Sequence, residues 1–287
     1  MRNNNLSYWI FLVPSLLALF IVIFIPIIIG SVYSFADYDG VNIKGFVGLQ
    51  NYINLFSDSA FLHSLWFTFA VSAVSVILIN IIGLSFALIV TNKLGRINTI
   101  FRTIFFMPNL IGGIILGFIW QFIFLKTFSS LEEITGLGLF SGWLSTTATG
   151  FWGLVILFTW QMSGYVMVIY ISFLNNIPNE LLEAASIDGA SLWKRFWKIK
   201  FPMLTPAFTV SVFLTLANAF KIYDQNLSLT GGGPFRTTEM ATMNIFDTAF
   251  TAQKMGYGQA KAIIFLICIT IISLVQLYFT RKREIDL

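Results

Sequence analysis

Charge is what this chain has least of. Only 10% of its 287 residues are Asp, Glu, Lys or Arg, where a soluble domain carries about 25%. Cysteine and histidine are nearly absent, with Cys268 and His63 standing alone. One cysteine excludes an internal disulfide, and one of each excludes a Cys/His metal cluster. Cys268 lies in an apolar run and reads as a packed or lipid-facing thiol. His63 precedes another run and reads as an interfacial polar residue. No Gly-x4-Gly-Lys-Ser/Thr phosphate loop occurs, so the chain does not hydrolyse ATP by itself. No His, Cys or paired carboxylates converge at one depth, which argues against a membrane enzyme.

What is present is apolar. Hydrophobic residues make up 57% of the chain, with 31 Phe and 8 Trp, a composition suited to lipid contact and interface belts. A span needs roughly 20 mainly apolar residues. Six runs qualify, near 8–35, 63–91, 100–125, 150–175, 204–222 and 260–280. The first is uncharged and exceeds the roughly 7–15-residue core of a signal peptide, so it reads as a retained helix. The fold class is an all-α membrane protein of six transmembrane helices, in a single transmembrane domain over 1–287. The net charge of +4 does not indicate nucleic-acid binding, because in a membrane protein the placement of basic residues matters more than their sum.

That placement is asymmetric. Arg2, the group Lys93, Arg96 and Arg102, the group Lys194, Arg195, Lys198 and Lys200, and the group Arg281, Lys282 and Arg283 fall on one side. The other side has Lys44, Lys126, Lys221, Arg236 and Lys254 among acids, with Lys261 at the edge of the last run. The positive-inside rule puts both termini in the cytoplasm. Segments 36–61, 127–149 and 225–259 then read as outer loops, the last containing the Gly231–Pro234 turn. Lys221 and Asp224 read as an interfacial ion pair or a gate pair near the outer surface.

Loop 177–202 is the most informative segment. Pro178 opens a short helix with Asn179, Glu180 and Glu183 in its first turns, where acids suit the positive helix end. Ala184 and Ala185 let another surface approach, and Gly189 permits a tight stop. Trp193, Phe196 and Trp197 then share a helical face with basic residues between them, as in an amphipathic helix under the bilayer surface. An ordinary loop pinned to headgroups accounts for the tryptophan and the lysines, but not for the order of acid, alanines and glycine.

Glu183-Ala184-Ala185, then Gly189, then Ile199-Lys200-Phe201-Pro202 resembles the EAA signature of binding-protein-dependent ABC importer permeases, with Phe201 where leucine is usual. Phe46–Tyr52, Leu229–Pro234 and Gly256–Ala260 are similar to signatures of the carbohydrate branch, the group of the maltose and glycerol-phosphate systems, and the chain resembles their six-span core. The resemblance implies a type I permease fold in the cytoplasmic membrane of a prokaryote. It implies a second homologous permease, two cytoplasmic ATPases carrying ATP and Mg, an extracytoplasmic binding protein, and a sugar as cargo. This chain would carry no cofactor. A non-sugar solute such as glycerol phosphate is the alternative cargo. Glu183, Ala184, Ala185, Asp188 and Gly189 would form the coupling helix that docks on an ATPase.

The resemblance also places Asn109, Gly113, Gln161, Met162, Tyr165, Thr215 and Ala219 on the sugar pathway, and Asn218 joins them as a polar residue beside Thr215. Gln161 and Tyr165, four apart, share a face. Polar groups inside spans also serve as helix–helix glue, which is the competing role for each. An ion-coupled secondary transporter would need intramembrane acids, and spans one to four contain none.

Overall fold

A computed structural model describes residues 5–91 and 96–282. Arg2, Lys93, Arg283 and the two termini, on which part of the orientation rests, lie outside the described residues. In chain order the elements are α1 (Tyr8–Tyr33), β1 (Ala36–Tyr38), β2 (Ile43–Phe46), α2 (Gln50–Leu55), α3 (Ser59–Val90), α4 (Arg96–Phe106) and α5 (Gly113–Thr135). There follow α6 (Thr147–Asn175), α7 (Asn179–Ile187), α8 (Leu192–Met203), α9 (Thr205–Ala219), α10 (Asp224–Leu229), α11 (Ala241–Phe246) and α12 (Met255–Arg281). Among the described residues, α1, α3, α5, α6 and α12 are each long and apolar enough to cross a membrane. The pair α8–α9, bent by 64°, makes a sixth if it is one span.

Four expectations change. The third run, 100–125, divides. Proline removes a helical amide and crowds the preceding turn, so at Pro108 the chain leaves α4 through a 3₁₀ turn, Met107–Leu110, and Ile111 is extended before α5 begins at Gly113. The stretch 127–149 starts as helix, because α5 continues to Thr135 and ends where Gly136 turns left-handed at φ +66°. The stretch 225–259 is no loose loop: Asn226, Thr238, Glu239, Met240 and Ala241 are buried. Lys221 and Asp224 are both exposed, and no ion pair joins them among the described residues.

The chain divides into two compact units, 1–62 with 244–266 and 63–243 with 267–287. In the first unit, β1 and β2 form an antiparallel hairpin pairing Ala36 with Phe46. The Phe46–Tyr52 segment turns into α2 and grips the end of α1: the Asn51 amide donates to the carbonyls of Ser34 (2.8 Å) and Ala36 (3.2 Å), and Tyr52 Oη lies 2.6 Å from Ser34 Oγ. Gly256 admits this turn closely, since a Cβ there would strike the Ala36 carbonyl oxygen.

Lys261, two turns into α12, is 3% exposed. Its ammonium meets Asp58 Oδ2 (2.9 Å), Asn244 Oδ1 (2.8 Å) and Thr248 Oγ1 (2.9 Å), and lies over the rings of Phe61 and Tyr257. Tyr257 donates to the same carboxylate at 2.9 Å. Partial burial opposes ionisation of Asp58, but the Phe61 amide, Lys261 and Tyr257 outweigh it and hold the carboxyl below the ordinary value. A charge this deep is tolerated because its donors are matched.

The second unit is organised on α6. Its start is a capping box in which Thr149 N–H donates to Thr146 Oγ1 (3.2 Å) and Thr146 N–H donates to Thr149 Oγ1 (3.1 Å). Leu154, Leu157, Phe158, Val166 and Met167 of α6 are buried with Ile79, Leu116, Phe124 and Phe220. Small residues let helices approach. A Cβ at Gly83 would meet Val166, and one at Gly164 would strike the backbone of Phe105.

Candidate functional site

Two groups of residues carry the functional reading, one outside the core and one within it. The outer group is α7. Pro178 caps its start, and its end closes by two bonds, Gly189 N–H to the Ser186 carbonyl (3.1 Å) and Ala190 N–H to the Ala185 carbonyl (2.9 Å). This is the Schellman pattern, which needs a left-handed residue after the cap. Gly189 supplies it at φ +71°, with nothing within 4 Å of where its Cβ would be. Conformation, not crowding, therefore requires glycine.

Glu183, Ala184, Asp188 and Gly189 are exposed and Ala185 is half-buried. Ile187 at 87%, Leu192 at 78% and Trp193 at 71% stand in the open beside them. Acid, small residues and bare hydrophobes along α7 and the start of α8 make a surface suited to a partner. Ser191 caps α8 by accepting from Lys194 N–H (3.3 Å), and Trp193, Phe196, Trp197 and Phe201 pack ring to ring along it.

The inner group lies where α6 meets the turn after α4 and the short helix α10. Gln161, almost fully buried, donates from Nε2 to the Ile111 carbonyl (3.3 Å) and accepts at Oε1 from Gln225 Nε2 (2.9 Å). The Asn109 amide donates to Met162 Sδ at 3.3 Å. Tyr165 is half-buried one turn from Gln161, and its hydroxyl has no hydrogen-bond partner among the described residues. Asn109, Gln161, Met162 and Tyr165 thus come together, with Gln225 added. Sequence reasoning missed Gln225 because 225–259 read as an outer loop; the signal was the helical spacing of Ile222, Asn226 and Leu229, all buried.

Of the remaining four sites, Gly113 lies against Gln225 of this cluster, and the other three separate from it. Thr215 is fully buried and bonds the Ser211 carbonyl (2.7 Å). It also receives Asn80 Nδ2 at 3.4 Å, in a network where Tyr170 donates to Asn80 Oδ1 (2.9 Å) and Ser211 Oγ lies 2.6 Å from the same oxygen. Ala219 is fully buried. Gly113 lies under α10, where a Cβ would come within 2.8 Å of Asp224 Cβ. All three are closely packed within the helices. Asn218 is exposed and bonds its own helix at Leu214.

The Leu229–Pro234 segment is held by Asn226, which donates to the Thr238 carbonyl (2.8 Å) and Thr230 Oγ1 (2.9 Å) and accepts from Met240 N–H (3.0 Å). Phe235, next along the chain, is 99% exposed. Among the described residues, no three His, Cys, Asp or Glu side chains cluster as a metal would require.

Residues 79–285 match the family described as the inner membrane component of binding-protein-dependent transport systems. The chain belongs to this family. It is a permease subunit, and the dependence on a binding protein is a property of the family. A relative from Thermoanaerobacterium thermosulfurigenes, the probable starch degradation products transport system permease AmyD, is 52% identical over 99% of this chain and 97% of its own length. The trehalose/maltose transport system permease MalF of Thermococcus litoralis is 33% identical over 98% of this chain and 95% of its own. Among solved structures, a chain of a bacterial ABC transporter that imports the acidic polysaccharide alginate superposes with a TM-score of 0.84 at 18% identity. That match covers 98% of this chain and 96% of the other. At that identity it shows the fold, which is the ABC importer permease fold.

Proposed function

We propose that this permease forms half of the translocation pathway of an ATP-driven importer for a neutral sugar or oligosaccharide. Its partners are a second homologous permease, two cytoplasmic ATPases and an extracytoplasmic binding protein. The observation that carries the reading is α7: a capped helix whose acid and apolar side chains are exposed, joined by three residues to the most buried helix of its unit. Movement of an ATPase docked on α7 would pass into α6 through a three-residue turn and, by way of α8, into α9. ATP and Mg belong to the partner subunits, and this chain performs no hydrolysis. The basic face of α8 lies in the cytoplasm with both termini, and Phe235 faces outward.

The pathway cluster supplies what a sugar requires: the amides of Asn109, Gln161 and Gln225 for hydroxyl groups, and the Tyr165 ring for a sugar face. The nearly uncharged interior favours a neutral ligand, since an anion would need a matched cation there. The names of the relatives, one for starch degradation products and one for trehalose and maltose, support an α-glucan fragment as cargo.

The test is uptake of labelled maltodextrins by the complete transporter in liposomes. Tyr165→Ala and Gln161→Ala should lower uptake with assembly intact, each by about 1–3 kcal/mol of substrate interaction. Normal uptake by both variants across a concentration series would remove the cluster from the pathway. For orientation, Phe235→Cys in a Cys268→Ser background should react with an impermeant thiol reagent in intact cells. The buried Gly232 is a poorer position for that label. Labelling only after lysis would reverse the assignment.

A further inference from the structure

The second unit contains a cavity of about 430 Å³ that the transport reading does not use. Leu84 of α3, Tyr170 of α6, Leu204, Thr205 and Phe208 around the start of α9, and Phe279 near the end of α12 line it. The wall is almost wholly apolar. Its two lining threonines are internally satisfied, Thr205 by the Pro202 carbonyl (2.7 Å) and Thr280 by the Gln276 carbonyl (2.9 Å). The Tyr170 hydroxyl is directed into the Asn80 network. Nothing in the wall therefore seeks a polar ligand.

The residues next in sequence to the lining are different. Lys200 is the neighbour in sequence of the lining residue Phe201, and Arg281 of Thr280, with Lys198 and Lys282 beyond them. None of these four cations has an acidic partner within ion-pair distance among the described residues. Lys282 is held 4.2 Å above the Tyr278 ring.

An apolar cleft between membrane helices, with cations next in sequence to its lining that have no acidic partner among the described residues, matches an acyl chain bearing an anionic headgroup. We propose that this cavity binds an anionic phospholipid, with one chain between α3, α9 and α12 and its phosphate on Lys200 and Arg281. Leu204 and Thr205 sit at the 64° bend between α8 and α9. A bound chain would wedge that bend and fix the direction in which α8, and α7 before it, leave the membrane. The site rests on reading these helices as membrane spans, but not on the identity of the transported solute.

The experiment uses the assembled transporter, purified with its partner subunits and exchanged into micelles with equimolar phosphatidylglycerol and phosphatidylcholine. Lipid retained by the complex is read by native mass spectrometry. Wild type should retain phosphatidylglycerol in preference. Lys200→Gln and Arg281→Gln should each weaken that preference by about fivefold, and Lys200→Arg should keep it. Leu84→Trp, which fills the cavity, should lose the lipid without altering subunit stoichiometry.

A photoreactive residue at Phe279 should cross-link to lipid. Equal retention of the two lipids by wild type would overturn the proposal. So would unchanged retention in the charge variants, or a cross-link to the second permease instead of lipid. No sugar, binding protein or ATP enters these measurements, so a wrong substrate assignment leaves the result readable.

Discussion

α6 and α7 are neighbours in sequence and opposites in environment. On α6, glycines stand where no larger residue fits, and Gln161, Ser163 and Tyr170 find their partners inside the chain. After α7, the glycine stands in open space, and the acids, Leu181 and Ile187 of α7 face outward. Gly164 is required by its neighbours, because a Cβ would strike the Phe105 backbone; Gly189 is required by its own φ of +71°, with nothing near it. One helix is complete within the chain, and the other has the surface of a part made for something else. Folding and coupling should therefore respond to different substitutions.

The largest effect is expected at Gly164. A leucine there meets backbone that cannot rotate away, so Gly164→Leu should destabilise by more than about 3 kcal/mol. The readout is the yield of monodisperse protein and its melting temperature in detergent. Full yield would show that α4 is not packed on α6 as described.

The Lys261–Asp58 pair extends the comparison to the first unit. Breaking a buried pair costs about 3–5 kcal/mol, because the remaining charge has no partner. Lys261→Met should be severely destabilised, and Lys261→Met with Asp58→Leu should recover most of the loss in thermal unfolding. A double variant no better than the single would mean that the lysine acts without Asp58. The pH dependence carries a definite sign. The Asp58 pKa is lowered in the folded protein, so its contribution is present above the unfolded value and is lost as pH falls through the folded one. The double variant should lack that acid-side loss.

Asn80→Leu should cost less, about 1–3 kcal/mol, by leaving the Tyr170 hydroxyl and Ser211 without their shared acceptor. Pairing it with Tyr170→Phe should give less than the sum of the two singles. Additive losses would show that the network does not act as one unit.

At the far end lie Gly189→Val and Glu183→Ala. The first strains one exposed turn by about 1–2 kcal/mol, and the second should leave melting unchanged. Both should nonetheless reduce substrate-stimulated ATP hydrolysis by the complete transporter. Full stimulation in both would end the coupling role of α7 and leave the contrast with α6 a matter of exposure alone.

Much of this protein is local information, and that part is legible in the chain. Scarce charge and long apolar runs determine a membrane protein, because each span must satisfy its backbone within itself. Pro178, Glu183 and Gly189 specify α7 through capping rules that operate over a few residues. Tertiary structure alone decided the rest. Gln225 reaches Gln161 only because Gly113 and Gly117 let α10 lie against α5. Thr215 leaves the cluster because Asn80, far away in sequence, reaches it. Lys261 looks like an edge charge until Asp58, Asn244 and Thr248 close around it. In each case the deciding partner is distant in the chain. A residue's type limits which bonds it can make, but only the packed helices settle which partner stands within reach.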